Sequence, residues 1–299
     1  MSNSATYPAT RRDWWQAARP HTWANAFSPV IAGTGAAAFN DGAHLGRALL
    51  ALIVAWALII GVNFANDYSD GIRGTDDDRT GPTRLTGSGL ANPKQVKSAA
   101  FLCFGVAAVA GVILSLWSAW WLIIVGAVCI VAAWFYTGGK NPYGYRGLGE
   151  VAVFIFFGLV AVLGTEFTQS LQVSWVGLAA AVGIGAMSAS VNLANNIRDI
   201  PSDKVAGKIT LAVRLGEKNS RRLFALLSMM PFIMSLLMAA AYTPVLIGFL
   251  ALPFALQSTL TVLKGTKGVA LIPVLGMNGR AMLLWAILTA MALFFGGAA

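Results

Sequence analysis

Asn63-Phe64-Ala65-Asn66-Asp67-Tyr68-Ser69-Asp70 closes one long apolar run, and Asn192-Leu193-Ala194-Asn195-Asn196-Ile197-Arg198-Asp199 closes another. Asn, Ala, Asn and Asp recur at the same places, so Asn63 answers to Asn192, Asn66 to Asn195 and Asp70 to Asp199. Such residues are ordinary helix ends when they occur once. Repeated in register, they mark an internal duplication. Within each copy the amides and acids stand three or four residues apart, which predicts one face of a helical turn. Asp203 follows Asp199 by one further turn, and Asp76, Asp77 and Asp78 lie just beyond the first copy.

The surroundings of both stretches exclude a water-soluble fold. Of the 299 residues, 57% are hydrophobic and 11% charged, with mean hydropathy +0.68, whereas soluble domains carry roughly 25% charged residues. Residues 98–139, 167–197 and 223–263 contain no Asp, Glu, Lys or Arg. Since about 20 apolar residues cross a bilayer, runs of this length predict membrane-spanning hairpins. Nine spans are expected, near 23–40, 46–65, 98–117, 119–137, 147–165, 172–194, 222–241, 243–262 and 279–297. The expected fold is therefore all-α and membrane-embedded: two four-helix repeats plus a ninth helix. Residues 1–22 form a cytoplasmic N-terminal segment, and 23–299 form a single transmembrane domain.

Charge gives the orientation. With the N-terminus in the cytoplasm, every Lys and Arg except Arg47 falls on the cytoplasmic side, because the alternate connections around 117–119, 166–173 and 242–244 carry none. The net charge of +9 is then a product of topology and argues for no nucleic-acid partner. Cys103 and Cys129 sit inside apolar runs without metal-ligand spacing. The expected location is the cytoplasmic (inner) membrane, with chemistry on the cytoplasmic face. There, residues 66–97 and 195–221 are far longer and more charged than turns require.

Two acidic clusters facing each other at one end of a bundle repel unless a cation lies between them. Carboxylate and amide oxygens are the hard ligands Mg²⁺ prefers. The same loops supply Arg73, Arg79, Arg84, Arg198, Lys204 and Lys208, side chains suited to phosphate. The third cytoplasmic connection, Tyr136-Thr137-Gly138-Gly139-Lys140-Asn141-Pro142-Tyr143-Gly144-Tyr145-Arg146-Gly147-Leu148-Gly149-Glu150, combines turn residues with aromatic faces and one carboxylate that suit a ring substrate.

On these stretches the chain resembles the UbiA superfamily of intramembrane aromatic prenyltransferases, and within it the branch acting on naphthoates. The resemblance rests on Ala18-Arg19-Pro20, the run from Asn66 to Asp76 with Arg79-Thr80-Gly81-Pro82, the Tyr136–Glu150 loop, and Asn195-Asn196-Ile197-Arg198-Asp199 through Asp203 to Gly216. The general superfamily pattern has an acid four residues after Asp70, where this chain has Gly74; Asp76 is the nearest substitute. The resemblance implies a Mg²⁺-dependent enzyme that binds a polyprenyl diphosphate between the two acidic motifs, within membrane lipid. It implies Asn66, Asp70, Asp199 and Asp203 as the main catalytic and metal residues, with Asp67, Asp76 and Asn196 supporting. Arg79, Arg84, Lys140, Arg198 and Lys208 become diphosphate donors, and Tyr136 and Tyr145 hold the acceptor. The implied acceptor is 1,4-dihydroxy-2-naphthoate, prenylated with decarboxylation in menaquinone biosynthesis. A different aromatic acceptor is the nearest alternative. An anion transporter would instead need ionisable groups in mid-span, and only Glu166 comes near an outer helix end.

Overall fold

The computed structural model describes residues 9–74 and 84–296. Besides two short 3₁₀ helices, Pro20–Thr22 and Tyr143–Arg146, eleven helices follow one another among them: α1 (Arg11–Ala17), α2 (Ala24–Phe39), α3 (Leu45–Gly71), α4 (Pro93–Trp117), α5 (Leu122–Phe135), α6 (Gly149–Ser170), α7 (Trp175–Arg198), α8 (Ile200–Val205), α9 (Leu211–Met238), α10 (Thr243–Leu263) and α11 (Gly268–Gly296). Seven of these, α3, α4, α6, α7, α9, α10 and α11, are long and apolar enough to cross a membrane. The 16-residue α2 and 14-residue α5 run with them but fall short of that length.

The helices begin where side chains replace the missing intrahelical acceptors. Asn92 accepts from the Lys94 N–H to start α4, Ser174 from Gly177 to start α7, and Thr210 from Val213 to start α9. Several elements outrun the apolar windows. Helix α3 continues through Asn66, Asp67 and Asp70 to Gly71, α7 reaches Arg198, and α11 begins at Gly268. Backbone hydrogen bonding does not stop where hydropathy does, so the acidic motifs lie on helix ends and not in loops.

Helix α7 is the axis of the bundle. In its most apolar stretch 83% of residues are buried, against 28–39% in the other spans. Its small residues allow this, because Gly and Ala let neighbouring backbones approach closely. Gly158 of α6 meets Gly185 of α7 so tightly that a Cβ on Gly158 would fall 2.6 Å from the Gly185 Cα. At this contact α6 widens into a π-helix over Phe154–Leu163. On its other side α7 packs along α9, just as α3 packs along α4, and α2 lies against α11. Asn278 of α11 ties four helices together. Its Nδ2 donates to Ser190 Oγ at 2.5 Å, and its Oδ1 accepts from Ser228 at 2.7 Å and Ser258 at 3.1 Å. A buried amide satisfied on both sides fixes the relative placement of the helices it joins.

Candidate active site

The two motif-bearing helix ends, α3 and α7, lie at the same end of the bundle, where the Tyr136–Glu150 loop joins them. The Tyr145 hydroxyl donates to Asp70 Oδ1. The Tyr145 ring lies 4.9 Å beneath Lys208 Nζ, which stands 4.0 Å from Asp203 Oδ1. The backbone reinforces the link, since Ile209 N–H donates to the Tyr145 carbonyl at 3.0 Å. Asp70 and Asp203, far apart in sequence, are thus connected through one tyrosine. Arg73 stacks on the same ring at 5.4 Å and donates to the carbonyls of Thr137 and Gly139. Thr137 Oγ1 in turn donates to Asn66 Oδ1 at 2.7 Å.

Each expected acid has a definite setting. Asp70, Asp199 and Asp203 are buried, and each faces a cation: Arg84 3.5 Å from Asp70, Arg198 on both oxygens of Asp199 at 2.6 and 2.7 Å, and Lys208 beside Asp203. Burial of such charges is tolerable only with compensation of this kind. Asp67 is used differently. Its two oxygens accept the backbone N–H groups of Leu85 and Thr86, each at 2.8 Å, which anchors the segment carrying Arg84. Asn196 turns to Glu150, donating to its Oε1 at 2.6 Å. Lys140 is exposed in the turn after α5. Asp76 and Arg79 lie outside the described residues.

Behind this end runs a cavity of about 450 Å³. Asn63, Asn66, Asn192, Asn195, Arg19 and Tyr136 line its mouth, and its walls are almost wholly apolar. It extends to Ala51, Ser115, Leu122 and Thr168 near the opposite ends of their helices. Along α3, the distance from Asn66 to Ala51 is roughly 22 Å at the helical rise of 1.5 Å per residue. Tyr136 donates to Asn192 Oδ1 at 3.3 Å and packs edge-on against Tyr143. Burial pushes the Tyr143 hydroxyl up to about 12, so it stays protonated and donates to the Ala132 carbonyl at 2.8 Å. The ring of His21, two residues after Arg19, is pushed down to about 4, first by desolvation and then by Arg19 and Arg198. Arg73, Arg84, Arg198 and Lys208 gather around the buried acids at this end, a setting that suits an anionic head group.

Several residues here lay beyond sequence reasoning. Asn195, the repeat partner of Asn66, lines the cavity, whereas its neighbour Asn196 does not. The register of the duplication is the signal that distinguishes them. Glu150 is buried and receives both Asn192 and Asn196, a contact between helices that leaves no trace in spacing. Among the described residues no three His, Cys, Asp or Glu side chains group closely enough to hold a metal by themselves. That donor set still fits Mg²⁺, which takes one or two carboxylates and completes its shell with water and substrate phosphates.

A membrane bundle that gathers acids and bases at the mouth of a long apolar cavity is built for a charged head on a lipid tail. The chain belongs to the UbiA prenyltransferase family, whose profile matches residues 26–271. It is 56% identical to 1,4-dihydroxy-2-naphthoate octaprenyltransferase of Mycobacterium tuberculosis over 96% of this chain and 99% of that protein. It is 35% identical to the Escherichia coli protein of the same name, with 94% of each chain covered. Its fold matches a UbiA homologue from Aeropyrum pernix at TM-score 0.71 and 16% identity, over 89% of this chain and 98% of that one. A homologue from Archaeoglobus fulgidus bound to GPP and Mg²⁺ matches at TM-score 0.66 and 14% identity, over 95% and 99%.

Proposed function

We propose that the protein transfers a polyprenyl chain from its allylic diphosphate to 1,4-dihydroxy-2-naphthoate, with loss of the acceptor carboxylate as CO₂, in menaquinone biosynthesis. The observation that carries this reading is the chain of contacts from Asp70 through Tyr145 and Lys208 to Asp203 at the mouth of the apolar cavity. It joins two acidic motifs into one polar site that faces a channel suited to an isoprenoid tail. The names of relatives aligned over almost the whole chain support the naphthoate acceptor.

In this reading Asp70, Asp199 and Asp203, with Asn66 and its repeat partner Asn195, are the residues that would hold Mg²⁺ beside the diphosphate. When bound, the ion stabilises negative charge developing on the departing diphosphate. Arg84, Arg198 and Lys208 already stand against these acids and supply donors to the same anion; Arg79 and Lys140 are further candidate donors by sequence alone. Asp67 holds Leu85 and Thr86, so that Arg84 is presented to the site. The allylic C–O bond breaks with its electron pair leaving on diphosphate. The ring carbon bearing the carboxylate forms the new C–C bond, and departure of CO₂ returns the electron pair that restores aromaticity. No protein base is needed at that carbon. The apolar cavity keeps water from the electrophilic prenyl group, and Tyr136 at its mouth offers an aromatic face to that group and to the ring.

The remaining features belong to the same proposal: nine crossings, counting the short α2 and α5; a duplicated four-helix unit followed by α11; an N-terminus and active site on the cytoplasmic side of the inner membrane. The corresponding contacts of α3 with α4 and of α7 with α9 support the duplication. An anion carrier is disfavoured because the paired acids gather at one end of the bundle.

The acceptor is tested with carboxyl-labelled 1,4-dihydroxy-2-naphthoate and a prenyl diphosphate. CO₂ released in step with diphosphate, and little turnover of 4-hydroxybenzoate, are expected. Label retained in the prenylated product would assign a different acceptor chemistry.

A further inference from the structure

Glu150, the second residue of α6, is 4% exposed, yet its partners among the described residues are neutral amides and no cation. Its Oε1 accepts from Asn196 Nδ2 at 2.6 Å and from Asn192 Nδ2 at 3.3 Å, while its Oε2 is buried without a partner. An acid in the first turn of a helix complements the helix dipole from the surface. Burial against neutral groups costs solvation energy that such a role does not call for. Asn192 leads from Glu150 to the cavity. It lines the wall together with Tyr136, whose hydroxyl donates to Asn192 Oδ1 at 3.3 Å. The packing is close, since a Cβ on Gly149 would fall 3.0 Å from the Tyr136 hydroxyl and 3.2 Å from Asn192 Nδ2. The other half of the duplication holds its amide in the same way. Asn63, the repeat partner of Asn192, has its Nδ2 tied to the Ala18 carbonyl and the Thr22 hydroxyl, each at 3.1 Å.

A carboxylate accepts hydrogen bonds and an amide nitrogen donates them, so the direction of each amide beside Glu150 is set. Asn192 must turn its nitrogen to Glu150, which turns its oxygen to Tyr136, and the Tyr136 hydroxyl must then donate. We propose that Glu150 is a positioning residue that, through Asn192, fixes the Tyr136 hydroxyl as a donor to the protein, so that its hydrogen is not free to point at the electrophilic prenyl group. The inference rests on the prenyl-transfer reading above and adds a residue to it. The hydroxyl hydrogen is the positive end of the phenol dipole and would oppose the positive charge developing on the allylic carbon. A dipole oriented beforehand needs no reorganisation during the reaction. Glu150→Gln removes that direction at nearly unchanged volume. An amide side chain donates as well as accepts, so Asn192 can turn over and the Tyr136 hydroxyl can accept from it.

The test is a double-mutant cycle: kcat and KM for a prenyl diphosphate and for 1,4-dihydroxy-2-naphthoate in wild type, Glu150→Gln, Tyr136→Phe and the double variant, with thermal unfolding in detergent alongside. Glu150→Gln should lower kcat about 10-fold, the scale of one buried hydrogen bond, and leave KM for the diphosphate within about twofold. Tyr136→Phe leaves no hydroxyl to direct, so adding Glu150→Gln to it should lower kcat by less than about twofold more, the coupling expected of residues that act through one another. An unchanged kcat in Glu150→Gln overturns the assignment. So does an equal fall with and without Tyr136→Phe, which a merely structural role would give. Should Glu150→Gln not fold, Asn192→Leu breaks the same chain at its middle, and an equal fall of kcat with and without Tyr136→Phe then overturns the assignment alone. Absence of naphthoate prenylation by the wild type would instead overturn the prenyl-transfer reading, and this assignment with it.

Discussion

The Tyr145 hydroxyl donates to Asp70 while Lys208 and Arg73 both stand against its ring, so the side chain has two separable roles. Tyr145→Phe keeps the ring and removes the donor. Because a hydrogen bond to a charged group contributes about 1.5–3 kcal/mol, turnover should fall at least about 10-fold with the fold intact, as checked by steady-state rates and thermal unfolding in detergent. Tyr145→Ala also removes the platform for both cations and should be clearly worse; equal rates for the two variants would deny the ring its role, and a wild-type rate in Tyr145→Phe would deny the hydroxyl its own. At this scale the sequence was legible wherever the duplication spoke. Asn66, Asp70 and Asp199 stand in register, and the structure brings them to one end. The role of Asp67 was not legible, since its partners are the backbone N–H groups of Leu85 and Thr86, and side-chain patterns do not encode backbone donors.

At the scale of elements, the cavity depends on small residues along α4 and on the widened turn of α6. Gly111 lines the far half of the cavity, and a Cβ there would meet only Val54 Cγ2, at 3.8 Å. Gly111→Phe therefore has room to enter the cavity without prising helices apart. It should leave turnover of a short donor such as geranyl diphosphate within about twofold of wild type, by the limits of a site not itself perturbed, and sharply reduce turnover of long polyprenyl donors. Rates measured across a series of chain lengths check this, and a uniform loss at every length would deny the cavity its role as tail channel. The helices themselves were legible as apolar runs, but their ends were not. Hydropathy falls at the first amide or acid, whereas α3 and α7 carry their hydrogen-bond ladders through the motifs. The π-helix at Phe154–Leu163 also escaped the sequence. It accompanies the Gly158–Gly185 contact, and an apolar run reads the same whether its turns are α or π.

For the whole molecule, the claim is that two halves of one chain each contribute an acidic helix end to a single metal–diphosphate site. The one-sided Lys and Arg distribution and the duplicated motif are the sequence features that point to that arrangement; the loop between the two helix ends is visible in the sequence only as a cluster of Gly and Tyr. A shared site predicts that neither half works alone. The most direct measurement is turnover of an allylic diphosphate against Mg²⁺ concentration in wild type, Asp70→Asn and Asp199→Asn. Wild-type activity should vanish on chelation and return with Mg²⁺. Each variant, folded and nearly unchanged in volume, should stay inactive at saturating Mg²⁺, because loss of a carboxylate on either side removes charge that the ion requires. Retention of more than about a tenth of the wild-type rate by either variant, a loss of under ~1.4 kcal/mol of transition-state stabilisation, would contradict a site shared between the two motifs.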